Sequence, residues 1–87
     1  MTVSRSLDAL GDPNRRQIIA FLAGGEAPVS EIAGEFNVSI AAISQHLKVL
    51  RQAGLVRVRA AAQQRFYALE PAALAEAATW LNRMAGR

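Results

Sequence analysis

Two short amphipathic segments joined by a tight turn constrain the fold of this chain more than any other feature. In the second segment, Ile43, Leu47 and Leu50 recur at the spacing of one face of an α-helix. The opposite side has no acid and no bulky apolar group, and it consists of Ala41, Ser44, Gln45 and Lys48. We therefore predict a helix that packs one face on a core and presents the other to a partner.

The residues that flank these segments are typical of helix boundaries. Ser30 is predicted to cap the first helix and Ser39 the second, because a serine hydroxyl can accept a hydrogen bond from a free N–H of the first turn. Residues 36–38 are the predicted turn, since Asn37 tolerates the left-handed conformation. This arrangement is a helix-turn-helix, whose second helix enters the major groove of DNA. An ordinary helical hairpin fits the same periodicity.

The distribution of charge favours the first of these interpretations. The net charge is only +3, but no acid occurs in the 25 residues from Gln45 to Leu69. The same window contains five cations, which are Lys48, Arg51, Arg57, Arg59 and Arg65. A basic, acid-free stretch suits contact with phosphates. The alternative is a solvated basic surface without a partner.

Two more helices are predicted upstream. The first has an apolar stripe of Val3, Leu7 and Leu10 and ends at Gly11. The second begins at Asp12-Pro13, where Asp can cap the helix and Pro can take its first position. It is expected to reach about Ala23, and the residues that we expect it to bury are Ile18, Phe21 and Leu22. Residues 24–28 are predicted to be a connecting loop.

A β-hairpin is predicted after the helix-turn-helix. Gly54 can end the preceding helix, and residues 55–59 then alternate apolar and basic side chains as a half-exposed strand does. Residues 65–69 form the second predicted strand, and the intervening turn has no Gly, Asn or Asp to define it. A hairpin in this place is a wing. The predicted fold is therefore a single winged helix-turn-helix domain over residues 1–87, mostly α with a β-hairpin wing, in the order α-α-α-α-β-β-α.

The last predicted helix begins at Pro71 and reaches about Met84. Its apolar positions cover more than one core-facing stripe, so part of that surface should remain exposed in a monomer. We expect a homodimer whose interface includes Leu7, Leu10, Leu74, Trp80 and Leu81. The alternative is that this helix only wraps the core of its own chain.

Several functional classes are excluded by what the sequence does not contain. With no Cys and one His, it offers no thiolate chemistry, no disulfide framework and no set of soft metal ligands. No Ser-His-Asp set or phosphate-cradling glycine loop is present, so we do not expect an enzyme. No apolar run could span a membrane and the N-terminus has no apolar signal region, which favours a cytoplasmic location.

Two stretches of the chain resemble a known family. Residues 10–19, Leu-Gly-Asp-Pro-Asn-Arg-Arg-Gln-Ile-Ile, are similar to the Leu-x-Asp-Pro-x-Arg-Arg-x-Ile opening of ArsR-type winged-helix repressors. Residues 44–56, Ser-Gln-His-Leu-Lys-Val-Leu-Arg-Gln-Ala-Gly-Leu-Val, resemble the recognition helix of that family and its exit into the wing. The resemblance implies a bacterial homodimeric transcription factor, usually a repressor, in which the first and last helices form the dimer interface.

The resemblance also implies roles for individual residues. Those expected to face the bases or adjoining phosphates are Ser39, Ile40, Ala41, Ser44 and Gln45. Those expected to approach the DNA backbone are Lys48, Arg51, Arg57 and Arg65. Ser44 and Gln45 are the best candidates for base readout, because Gln can bond to adenine through two atoms. His46 also matches the motif and is interpreted as a packing or phosphate-contacting residue. The expected partner is double-stranded DNA with a near-palindromic operator.

The chain departs from the family pattern in two places. Many relatives bind a metal through Cys-x-Cys on the first helix of the helix-turn-helix or through Asp and His on the last helix, and this chain lacks both sets. We therefore expect no metal or other cofactor. The predicted wing tip contains Ala60-Ala61-Ala62 where Gly and Arg are often found, which should weaken its contact with DNA. A winged helix that binds only proteins is the rival function. The sequence does not indicate whether a small-molecule inducer, a protein inducer or only the protein's own concentration controls it.

Overall fold

A computed structural model describes residues 3–86, which form five α-helices and a three-stranded antiparallel sheet. In chain order the elements are α1 (Val3–Ala9), α2 (Pro13–Leu22), β1 (Ala27–Pro28), α3 (Val29–Phe36), α4 (Ile40–Gln52), β2 (Val56–Ala61), β3 (Gln64–Leu69) and α5 (Pro71–Ala85). The predicted class, mostly helical with a β-hairpin wing, is confirmed. The predicted order lacks one element, the short strand β1.

The prediction of a loop over residues 24–28 is wrong at its last two residues. Ala27 lies opposite Tyr67 and Pro28 opposite Phe66, so β1 adds a third strand to the hairpin in the order β1-β3-β2. Two residues, one of them a proline, give no recognisable periodicity. The strand exists because the edge of β3 offers free backbone groups, and proline is tolerated at an edge.

β1 also explains why Ser30 does not cap α3. Pro28 is extended within the sheet, and the chain enters the helix directly after it, so Ser30 lies inside the first turn and no side chain caps α3. The predicted cap of α4 is confirmed, because the Ser39 hydroxyl accepts a hydrogen bond from the Ala42 N–H at 3.1 Å. The predicted turn is confirmed as well, since Asn37 ends α3 with a φ of 54°.

The core is centred on the apolar face of α4. Ile43, Leu47 and Leu50 are all buried, as predicted, and the other large buried side chains around them are Ile18, Leu22, Ile32 and Leu55. Phe21 was predicted to be buried but is only half-buried. Its ring meets that of Phe36 edge to face at 6.0 Å between centroids, at the margin of the core.

Helix α4 ends in two hydrogen bonds that reverse the chain into the sheet. The N–H of Gly54, at a φ of 79°, bonds to the Arg51 carbonyl, and the N–H of Leu55 bonds to the Leu50 carbonyl, both at 3.0 Å. This is the Schellman pattern, which places an apolar residue directly after the glycine against the core. Leu55 is fully buried there, and its carbonyl accepts a hydrogen bond from the N–H of Glu70 at 2.8 Å.

Polar contacts fix the corner between α1 and α2. The Asp12 carboxylate accepts hydrogen bonds from the N–H groups of Asn14 at 2.7 Å and Arg15 at 3.4 Å, which confirms the predicted cap of α2. The Asn14 N–H is the main reason why the pKa of Asp12 is lowered from its usual value. Arg15 and Arg16 donate to the carbonyls of Ala9 and Leu10 and so satisfy the end of α1.

Helix α5 packs on α1, and its second half is exposed. Ala77 is its only buried residue, and every position from 78 to 86 is exposed. The described part of the chain measures 47 × 23 × 22 Å, so it is distinctly elongated. None of the helices in residues 3–86 has the length and apolar character needed to cross a membrane.

The turn of the wing suggests a simple stability test. Ala62 has a φ of 55°, a conformation that is unfavourable for a side chain with a Cβ atom. We expect Ala62→Gly to raise the free energy of unfolding by about 0.5 kcal/mol after the entropic cost of glycine is included. Ala60→Gly in the adjoining strand is the control, and it should lower that free energy by about 0.5–1 kcal/mol. Denaturant unfolding of both variants measures the difference, and equal destabilisation by both would contradict the expectation.

Candidate nucleic-acid interface

The outward side of α4 consists of small or polar residues and is exposed. Ala41, Ser44, Gln45 and Lys48 are all exposed, as the helical periodicity predicted, and we call these four residues the recognition face. The side chains are oriented by the burial of Ile43, Leu47 and Leu50 on the other side of the helix. A helix with this surface can enter a groove closely, because its nearest side chains are short.

A groove runs between α4 and the wing and is lined by cations and amides. Its volume is about 480 Å³, and its lining residues are Ser44, Lys48, Arg51, Gln52, Arg65 and Tyr67. A neighbouring depression of about 500 Å³ shares Ser44, Arg65 and Tyr67 and continues to the wing tip at Gln63 and Gln64. We call the two together the recognition groove. Among the described residues no carboxylate lines it, so its three cations set the sign of its potential.

The two arginines of β2 form ion pairs with carboxylates, whereas no carboxylate of the described residues lines the groove that contains Arg51 and Arg65. Arg57 donates from Nη1 to the Glu70 carboxylate at 2.9 Å and to the Leu69 carbonyl at 3.2 Å. Arg59 pairs with Glu26, its Nε lying 3.0 Å from Oε2, and its guanidinium also lies 4.8 Å from the centroid of the Phe66 ring. Two of the five cations in the acid-free window are thus matched by acids that lie outside it.

The ion pair between Arg59 and Glu26 shifts the pKa values of both side chains. The hydrogen bond from Arg59 is the main cause that lowers the pKa of Glu26 below its usual value. The same bond raises the pKa of Arg59 above its usual value. Glu26 immediately precedes β1, so the pair fastens the outer strand β2 to the opposite edge of the sheet across β3. Its contribution is that of an exposed ion pair, which is small and screened by salt.

The structure therefore brings together only part of the predicted site. Ser44, Lys48, Arg51 and Arg65 meet in the recognition groove, whereas Arg57 lies outside that group beside Glu70. Ser39, Ile40, Ala41 and Gln45 are exposed at the start and on the outer side of α4. Sequence reasoning missed Gln52 and Tyr67. Gln52 could have been found, because it lies seven residues after Gln45 and so on the same side of the helix.

His46 is half-buried in a smaller cleft on the other side of α4. That cleft measures about 220 Å³, and it is lined by Asn14, Gln17, Ile18, Phe36, Val38, Ala42, Ile43 and His46. Its position among apolar side chains agrees with a packing role. In residues 3–86 no group of three or more His, Cys, Asp or Glu side chains comes together in a way that could hold a metal ion.

The predicted dimer residues lie on the two terminal helices, which pack against each other, except Leu10, which lies in the turn directly after α1. Leu7, Leu10 and Leu74 are half-buried, and Leu10 and Leu74 also contact the core of their own chain. Trp80 and Leu81 are more open, at 39% and 49% exposed, and the adjacent Met84 is 50% exposed. Trp80, Leu81 and Met84 therefore form an exposed apolar surface on the second half of α5.

Comparison with known proteins identifies the family. Residues 12–58 match the model of a family described as "Bacterial regulatory protein, arsR family". The HTH-type transcriptional regulator Rv2034 of Mycobacterium tuberculosis is 47% identical over 79 residues, which are 91% of this chain and 74% of that protein. The chain belongs to the ArsR family. The match covers α2 to β2, and so it includes α4 and the start of the wing.

Two further proteins are similar to this chain in sequence or in structure. The transcriptional repressor SdpR of Bacillus subtilis is 36% identical over 73 residues, which cover 84% of this chain and 81% of the repressor. A solution structure of a homodimeric winged helix-turn-helix DNA-binding domain, from a possible ArsR-family regulator of Mycobacterium bovis, superimposes with a TM-score of 0.80 at 29% identity. That similarity covers 91% of this chain and 74% of the other. The family and these relatives are transcription regulators rather than enzymes.

The difference between the groove cations and the paired cations can be measured with a random-sequence DNA duplex. We expect Arg65→Ala to reduce the slope of log K against log[salt] by about one per protomer, because one phosphate contact is lost. Arg59→Ala removes the same charge from the same hairpin and is the control. It should leave the slope nearly unchanged, since its partner is Glu26. Equal changes in the two variants would show that the ion pair does not withhold Arg59 from DNA.

Proposed function

We propose that this protein is a sequence-specific, double-stranded-DNA-binding transcriptional repressor that acts as a homodimer and is not controlled by metal. One observation carries the proposal: the recognition face and the recognition groove combine short polar side chains with three cations and no lining carboxylate. The membership in the ArsR family and the repressor named among the relatives support the regulatory role. A regulator of this kind acts in the cytoplasm, where its DNA lies.

The proposed roles follow from position. Ser44 and Gln45 read base edges, because they lie on the exposed side of α4 where a helix meets the major groove. The start of α4, from Ser39 to Ala41, contacts bases or the phosphates next to them. The cations beside the recognition face contact the phosphates of the DNA backbone. They are Lys48, Arg51, Arg65 and Arg57. The proposed phosphate contact is least supported for Arg57, because Arg57 must first leave the Glu70 carboxylate to bind a phosphate.

The proposed dimer is formed by α1 and α5 and buries Leu7, Leu10, Leu74, Trp80 and Leu81. The support is the exposed apolar half of α5, together with the homodimeric state named for the Mycobacterium bovis domain. Two copies related by a two-fold axis present two identical α4 helices. Their operator is then near-palindromic, with half-site centres about 34 Å apart.

The rival function is a winged helix that binds proteins only. Such a module would use the hairpin and α5 but would have no reason to keep carboxylates out of the recognition groove. The proposed independence from metal is supported by the absence of Cys and the presence of one His in the sequence.

Selection from a randomised duplex library tests the proposed readout. The parent should enrich a near-palindromic motif, and Gln45→Ala should relax the preference at one position in each half-site, with a loss of about 1–3 kcal/mol. Lys48→Ala should instead enrich the same motif with weaker binding to every sequence, because a phosphate contact carries no sequence information. The assignment fails if the parent enriches nothing or if Gln45→Ala keeps the motif at unchanged stringency.

The dimer is tested by Trp80→Glu. We expect the dissociation constant of the dimer to rise at least about 30-fold, since a buried aromatic anchor contributes about 2 kcal/mol or more. Operator affinity should fall as well, because two half-sites are no longer engaged together. Ala72→Glu adds the same charge to an exposed position at the other end of α5 and should leave the dimer intact. Sedimentation velocity measures the oligomeric state of each variant. A monomeric parent at micromolar concentration would refute the proposed dimer.

A further inference from the structure

Ile40 is a large apolar residue placed where water surrounds it. It is the first residue of α4 and is 52% exposed, more than any other large apolar side chain among the described residues. A β-branched side chain brings no benefit to helix formation at such a position. Its exposure is therefore not required by the fold, and it leaves Ile40 available for contact with a partner.

The other exposed apolar side chains are explained by their surroundings. Val38 directly precedes the Ser39 cap and shares a cleft with Ile43, which is the geometry of a hydrophobic staple. Val49 lies in a cleft between α1 and the end of α4. Those of α5 belong to the proposed dimer surface. Ile40 lines neither of these clefts and lies on a different helix from the dimer surface.

Around the axis of α4, Ile40 lies between the buried face and the recognition face. At about 100° per residue it lies about 40° from Ser44, which lines the recognition groove, and about 20° from the buried Leu47. Ile40 does not line the groove itself. Ile40 also occupies the N-terminal end of the helix, which is the end whose side chains contact base edges in a helix-turn-helix. The residues next to it, Ala41 and Ala42, are too small to hold the helix away from DNA.

We propose that Ile40 contacts the C5-methyl group of a thymine in the major groove and so specifies a T·A pair in each half-site. The methyl group of thymine is the apolar feature that distinguishes base edges in this groove. The recognition groove further along α4 favours DNA over a protein as the molecule that covers Ile40, because the groove cations Lys48, Arg51 and Arg65 have no carboxylate of the described chain beside them. This inference rests on the proposed function. It goes further by naming one base pair of the operator that the protein recognises.

Replacing thymine with uracil removes the methyl group and nothing else from the base. The probe is the duplex that the parent enriches from a randomised library, together with a twin carrying dU for dT in one half-site. We expect the parent to bind the thymine duplex about fourfold more tightly than its twin for each methyl contacted, which is the effect of burying one such group. Ile40→Ala should bind the two duplexes equally, with an unchanged salt slope because no charge is altered.

Val49→Ala is the matched control, since it truncates another exposed apolar residue of α4 that faces away from the groove. It should keep the preference for thymine, and equal thermal unfolding midpoints show that the variants remain folded. The inference is overturned if the parent binds the twins equally, if Ile40→Ala keeps the preference, or if the enriched motif has no T·A pair in its half-site. A parent that enriches no motif overturns instead the proposed function on which the inference rests.

Discussion

The burial of one face of α4 is the constraint on which the rest of this structure depends. Ile43, Leu47 and Leu50 fix the rotation of the helix about its axis, because each is almost completely removed from water. Once that rotation is fixed, the polar residues at the intervening positions can only point outward. Core packing and presentation of the recognition face are thus two results of the same periodicity, and a change that loosens the core will also misdirect the surface.

Whether a cation of this protein has a carboxylate partner depends on the helix or strand that carries it, and not on its position in the sequence. The cations of α4 and β3 meet in a groove without carboxylates, whereas those of β2 are matched by Glu26 and Glu70. Exposed ion pairs add little to stability. Their effect is to leave β2 nearly neutral beside a basic groove, so that an anion is attracted to one side of the wing more than to the other.

Most of the helical framework could be predicted because its signals are local. A periodic stripe, a serine or aspartate cap and a residue in the left-handed conformation act within a few positions of one another, as at Ser39 and Asn37. The features that escaped prediction depend on partners far along the chain. Strand β1 exists only beside β3, Ser30 is displaced from its capping role by that pairing, and the partner of Arg59 lies 33 residues away. The acid-free window was read from sequence alone, and folding brought acids to two of its five cations.

The end of α4 has a consequence for how such a molecule could be regulated. Leu55 is bonded through its N–H to Leu50 in α4 and through its carbonyl to Glu70, which directly precedes α5. Leu55 therefore links the recognition helix, the base of the wing and the residue before the final helix through backbone hydrogen bonds. In the proposed dimer, a signal that changes the angle between the two protomers would move both recognition helices at once.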